Sequence, residues 1–167
     1  MEILLYPAPA LRQPSRPVGT PTPEVAETLR QMAAFMREHG GIGLAAPQVG
    51  IPLRLLMVNH TGQPADDRAF IDPRVTARRG MEDAEEGCLS FPGIRAVIRR
   101  PAWVRVEALS PGGEPVVVEM DGLLARVLQH EIDHLDGILL IDKMSPTERR
   151  ANVAALRDLE ARFTSKA

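Results

Sequence analysis

The sequence predicts an α+β fold. Three observations carry this reading: a clear antiparallel hairpin late in the chain, helices opened by recognisable capping sequences, and no regular strand–helix alternation of the kind that builds a doubly wound sheet. With 167 residues the chain has the size of one domain, and folding hides roughly 70% of its unfolded surface. We therefore read 1–167 as one unit that needs no metal merely to hold together.

The elements follow in chain order. Six prolines between positions 7 and 23 (Pro7, Pro9, Pro14, Pro17, Pro21, Pro23) fix φ and remove donors, so residues 1–22 are expected as an extended arm against the body. Thr22 as N-cap, with Pro23 at the first helical position, opens a helix whose face repeats Val25, Leu29, Met32 and Met36 until Gly40 stops it. Residues 41–50 are too rich in Gly and Pro for a regular element and read as a shaped loop. A buried strand is expected over 53–59, then a turn or loop over 60–68. In the hairpin, Trp103–Leu109 alternates apolar residues with Arg105 and Glu107. Residues 115–120 are Val-rich, and Ser110-Pro111-Gly112-Gly113 supplies the turn. Asp121 then caps a helix running to Gly137. Ser145-Pro146-Thr147-Glu148 is a capping box with proline at the first position. It opens a C-terminal helix over 145–167 with Val153, Leu156 and Phe163 as its apolar stripe.

Composition narrows the function classes. Twenty basic and 22 acidic residues leave a net charge of −2, which argues against a DNA partner engaged through overall positive charge. No apolar run approaches the ~20 residues of a membrane span, and Met1-Glu2-Ile3-Leu4-Leu5-Tyr6-Pro7 lacks a signal-peptide pattern. The single cysteine, Cys88, excludes an internal disulfide and suits a reducing compartment. These features place the protein in the cytoplasm, away from membranes.

The strongest chemical signal is His130-Glu131-Ile132-Asp133-His134, an H-E-x-x-H motif on an expected helix. Residues i and i+4 share a helix face about 6 Å apart along the axis, so both imidazoles can reach one metal ion. Glu131 lies about 100° further round the helix, beside the ion, where a general base for an attacking water belongs. The plain alternative is a surface helix whose histidines only share a face. A catalytic ion of this kind takes a third protein ligand. His39 and His60 read as ordinary surface histidines. A metzincin would need a histidine at 140, where Leu140 stands, and Glu148 and Glu160 read as capping and solvated residues of the last helix. Cys88 is left as the candidate third ligand, in Glu86-Gly87-Cys88-Leu89-Ser90, although a lone cysteine is commonly just a small buried hydrophobe. Gly41-Ile42-Gly43-Leu44-Ala45-Ala46 satisfies the dinucleotide pattern G-x-G-x-x-A, but it leaves a helix rather than a strand. We read it as a glycine-rich rim whose backbone can pair with an extended peptide, with the Gln48 amide aimed inward.

Taken together, the segments 41–48, 86–90 and 130–134 resemble the three motifs of peptide deformylase, in order and at suitable spacing, and the resemblance spans nearly the whole chain. It implies antiparallel sheets packed around a central helix carrying H-E-x-x-H, plus a C-terminal helix. It also implies removal of the formyl group from N-terminal formylmethionine of newly synthesised polypeptides, with release of formate. By match, Cys88, His130 and His134 hold the metal and Glu131 is the catalytic acid/base. The Gln48 side chain and the Leu89 backbone N–H donate to the formyl oxygen. One thiolate with two imidazoles suits zinc, whereas the family implies Fe2+, with zinc, nickel or cobalt able to occupy the site. Ile42, Gly43 and Val127 are expected at the substrate, and Leu123 as a further wall or as core. Glu86 is expected to pair with Arg100 and brace the cysteine loop. The resemblance also suggests a ribosome contact through the last helix. Two other readings stand beside it: an H-E-x-x-H metallopeptidase cutting internal peptide bonds, and a non-catalytic module with a closed structural zinc site.

Overall fold

The computed structural model describes residues 1–165. A five-stranded antiparallel sheet runs in the order β1 (Gly43–Ala45), β2 (Leu55–Val58), β3 (Arg68–Arg79), β6 (Trp103–Leu109), β7 (Pro115–Asp121), and a separate hairpin pairs β4 (Glu82–Gly87) with β5 (Arg95–Arg100). The helices are α1 (Pro23–Glu38), α2 (Gly122–Leu135), α3 (Leu140–Lys143), α4 (Pro146–Ala151) and α5 (Val153–Thr164). This is the α+β architecture expected, with sheets around a central H-E-x-x-H helix.

The two faces of the large sheet are covered by different helices, and β2 shows why. Its residues are all buried. Leu56 and Val58 point to the core shared with α2, while Leu55 and Met57 point to the core under α1. A strand buried on both faces loses polar alternation and reads as a continuous apolar run. β6 faces one core only, so Val104, Val106 and Ala108 are buried and their neighbours are not. A third core joins Leu11 of the arm, Phe91, Ile94 and Ile98 of the hairpin, and Leu156 and Leu159 of α5.

Several expectations need correcting. The stretch 41–50 is more regular than a shaped loop: it holds β1 and a 3-10 turn at Ala46–Val49. The C-terminal segment is two helices. Asn152 ends α4 in a non-helical conformation and bonds through its amide to the carbonyls of Glu148 and Arg95. The buried stripe of α5 is Leu156 and Leu159, whereas Val153 and Phe163, at the two ends of the helix, are exposed. Lys166 and Ala167 lie outside the described residues. Asp121 stands at the N-cap of α2, yet its side chain makes no capping bond. Asp72 has φ 51 and accepts from the N–H groups of Val18 and Gly19 at 2.8 and 2.9 Å, so the bulge in β3 also fastens the arm.

Candidate active site

α2 is the buried axis of the molecule. Ala125, Leu128, Ile132 and Leu135 bind it to the sheet, and a neighbouring face carries Val127, His130, Glu131 and His134, all buried. The helix stops at Gly137, whose φ is +71; a Cβ there would collide with the Arg12 carbonyl, so this glycine admits both the turn and the arm. Cys88 follows β4 directly. The hairpin lays its sulfur against the helix, with Cys88 Sγ 3.3 Å from His134 Nε2. Ligand atoms of Cys88, His130 and His134 all lie within 4.8 Å of one another. His39 and His60 do not join this group.

Gln48 closes the site from the 3-10 turn. Its Oε1 accepts from the Ala45 N–H at 2.9 Å, which turns Nε2 toward Ser90 Oγ at 3.3 Å and Cys88 Sγ at 3.5 Å. The Leu89 N–H has no acceptor among the described residues. Both groups therefore offer a donor at the cysteine.

Beneath the histidines lies a buried charge network. Glu86 accepts from Arg100 Nε and Nη2 at 2.6 and 3.0 Å, and from Arg126 Nη1 at 2.8 Å. Its Oε2 lies 2.9 Å from His130 Nδ1. Arg100 also reaches Asp133 at 2.7 Å, so the guanidinium links the hairpin to α2. Burial pushes the Glu86 carboxyl up, but His130 and Arg100 outweigh it and hold its pKa at about 2. A carboxylate on the far nitrogen of a metal-binding imidazole fixes the ring and its tautomer. His134 is pushed well below the ordinary histidine range by burial and by the positive charges of His130 and Arg100, which leaves it neutral and free to donate a lone pair. Burial raises Glu131 to about 7, where a carboxyl can both take and return a proton near neutrality.

The site opens into a cleft of about 770 Å³ lined by Ile42, Gly43, Cys88, Leu123, Val127 and Arg95, among others. Gly43 is pressed against the Val127–Glu131 face of α2: a Cβ there would lie 2.7 Å from Val127 Cγ1 and 2.9 Å from Glu131 Cδ. Leu123 is 53% exposed, so it is a cleft wall and not core. Sequence reasoning missed Ser90, which is fully buried and orients Gln48, and Arg126 as second partner of Glu86. A serine beside a candidate ligand was visible, but its role depends on a partner 42 positions away.

A divalent ion fits these residues. One thiolate and two imidazoles form a transition-metal donor set, and Glu131 Oε2 beside them is a buried polar atom without a partner among the described residues. A buried H-E-x-x-H helix facing a distant cysteine at the foot of an open cleft is the arrangement of a metal-dependent hydrolase. The chain belongs to the peptide deformylase family: the Polypeptide deformylase family model matches residues 1–150. It is 45% identical over 140 residues to the peptide deformylase of Desulfitobacterium hafniense, covering 84% of this chain and 91% of that one. With that of Rhodopirellula baltica it shares 34% identity over 168 residues, covering 99% and 84%. Among solved structures, a peptide deformylase of Plasmodium falciparum matches at TM-score 0.94 and 34% identity, with 98% of each chain covered. One from Legionella pneumophila matches at 0.90 and 35%, covering 99% of this chain and 98% of that one. The protein is an enzyme of protein biosynthesis, and the family activity is removal of the formyl group from N-formylmethionyl peptides. No helix among the described residues is long and apolar enough to cross a membrane.

Proposed function

We propose that Cys88, His130 and His134 hold one divalent ion, Fe2+ natively, with Glu131 as general acid/base. The observation that carries this is the convergence of the three ligand side chains within 4.8 Å, beside a carboxyl poised at about 7. When bound, the ion supplies Lewis acidity toward water and the formyl carbonyl. Glu131 takes a proton from the attacking water and returns it to the leaving amine, freeing formate and the methionine amino group. The Gln48 Nε2–H and the Leu89 N–H donate to the formyl oxygen as it gains charge. Loss of one such donor costs about 100- to 1000-fold in rate.

Substrate binding uses the rim. β1 is an edge strand paired with β2 on one side only, and Gly43 lets an extended formylmethionyl chain approach its backbone. Val127, Ile42 and Leu123 receive the methionine side chain. The substrate is the nascent chain, in the cytoplasm, which a lone thiol at the metal favours. A ribosome contact is assigned to the C-terminal helices, where Arg149, Arg150 and Arg157 are exposed. Replacing these three with glutamate is expected to abolish salt-sensitive co-sedimentation with ribosomes; unchanged binding rejects the contact.

Metal analysis together with formate release from formyl-Met-Ala-Ser tests the main reading. One ion per chain and formate production are expected, and both fall with Cys88→Ala, His130→Ala or His134→Ala. Full metal content in those variants overturns the ligand set. Because thiolate and ferrous iron both oxidise, the iron-loaded enzyme loses activity in air while the nickel-loaded enzyme does not; equal lifetimes reject iron as the labile native metal.

A further inference from the structure

The N-terminal arm reaches three parts of the site from behind. The Leu4 N–H donates to the Gln48 carbonyl at 2.7 Å, the Tyr6 N–H to the Ser90 carbonyl at 2.9 Å, and the Ser15 N–H to the Leu135 carbonyl at 2.8 Å. Tyr6 adds side-chain contacts at both ends. Its ring stacks on Phe91, with centroids 4.9 Å apart and planes at 22°. Phe91 is buried, and its N–H donates to the Cys88 carbonyl at 2.9 Å. The Tyr6 hydroxyl donates to Glu160 Oε1 on α5 at 2.6 Å.

These contacts form a continuous path. α5 holds the phenol, the phenol ring holds Phe91, and the Tyr6 backbone holds Ser90. Ser90 Oγ in turn accepts from Gln48 Nε2. The turn 88–91 is also held by burial of Phe91 in the third core, but the Ser90 carbonyl takes its backbone hydrogen bond from Tyr6. Without the arm, the Cys88 and Leu89 backbone and the Gln48 amide would lose their shared support.

We propose that Tyr6 is a positioning residue: it fixes the Cys88–Leu89 turn and the Gln48 amide from outside the site, and it makes their setting depend on helix α5. Its catalytic meaning rests on the roles proposed above for Cys88, Leu89 and Gln48, whereas the contacts themselves do not. The consequence is that Tyr6 adds a polar, directional link from α5 to the cysteine turn, beside the apolar packing of Leu156 and Leu159 in the core that holds Phe91.

The test uses full-length protein loaded with Zn2+ and follows amide hydrogen exchange in Tyr6→Phe, Tyr6→Ala, Glu160→Ala and Glu160→Gln. The reporters are the Phe91 N–H, bonded to Cys88, and the Ala45 N–H, bonded to the Gln48 side chain. In Tyr6→Phe and Glu160→Ala both should exchange roughly threefold to tenfold faster, the loss of one modest hydrogen bond, while amides of α1 keep their rates. Glu160→Gln retains an acceptor and should restore the parental pattern. kcat for formate release should fall with the reporters and KM should hold. Parental rates at Phe91 and Ala45 in Tyr6→Phe and Glu160→Ala overturn the proposal, as does acceleration spread equally over α1. If Tyr6→Ala does not fold, those two variants still decide. Failure of the parent to bind one Zn2+ per chain would count against the metal reading and leave the exchange result standing.

Discussion

Replacing Gly43 by alanine adds one methyl group at the most crowded point of the site. The new Cβ would sit 2.7 Å from Val127 Cγ1 and 2.9 Å from Glu131 Cδ, and closer still to Oε1, against about 3.4 Å for ordinary contact. Glu131 and Val127 lie four apart on the same buried face of α2, at 4% and 5% exposure, so neither can swing into solvent. The carboxyl must therefore retreat by most of an ångström, or β1 must lift off the helix. Gly43 has no positive φ, so backbone strain plays no part in the effect. Overpacking of this kind costs about 1–3 kcal/mol of stability. A general base misplaced by about 1 Å loses on the order of 100-fold in kcat. The assay is formate release at saturating formyl-Met-Ala-Ser, with metal content and thermal unfolding measured on the same preparation. Metal should stay bound, since the ligands are untouched. Gly41→Ala is the control, because its Cβ would meet Leu89 Cδ1, the movable end of a side chain, at 3.0 Å and Met36 Cγ and O only at 3.3 Å, and a milder loss is expected. A Gly43→Ala enzyme with kcat within threefold of the parent would refute the claim that Glu131 acts from this position.

Glu131→Gln should keep the metal and lower kcat by about 100- to 10,000-fold; full activity with metal bound ends the general-base assignment. Glu86→Ala strands the buried Arg100 and Arg126 charges, a loss of roughly 3–5 kcal/mol, and frees His130 Nδ1, weakening metal affinity about 10- to 100-fold; denaturant unfolding and chelator competition measure the two, and parental values in both reject the network. The Glu86 carboxyl, at about 2 when folded, contributes stability that is fully present above its usual 4.5 and lost as pH falls toward about 2. Glu86→Gln should flatten that acid limb, and an unchanged acid profile contradicts the assignment. Tyr6 is the sole tyrosine, and burial with the Glu160 hydrogen bond raises it to about 12. Its stabilisation is present below pH 10 and lost as pH rises toward 12, so ultraviolet titration should find a midpoint near 12 that drops toward 10 in Glu160→Ala; an identical midpoint in both removes the bond from solution.

What the sequence makes legible follows from which interactions leave a periodic or compositional trace. A 3.6-residue repeat puts His130 and His134 on one face of α2, and the alternation of β6 survives because only one of its sides is buried. β4 escapes notice because Glu82-Asp83-Ala84-Glu85-Glu86-Gly87 contains a single apolar residue, an alanine. It is a strand by virtue of its partner β5, where Arg95 meets Glu85 and Arg100 meets Glu86, and cross-strand charge pairing leaves no local period. β3 hides for a different reason: Asp72-Pro73 and two register shifts interrupt its alternation. In the site, side chains of a type that can ligate a metal announce themselves by that type, whereas the groups that aim them do not. The Glu86–Arg100 pair is anticipated and present, but nothing local distinguishes Arg126, one of 20 basic residues, as the second cation that closes on Glu86. The arm is the extreme case, because its hold on Gln48, Ser90 and Leu135 runs through backbone N–H and C=O groups. Those groups are the same in nearly every residue, so the prolines could show that the arm is extended but not which atoms it holds.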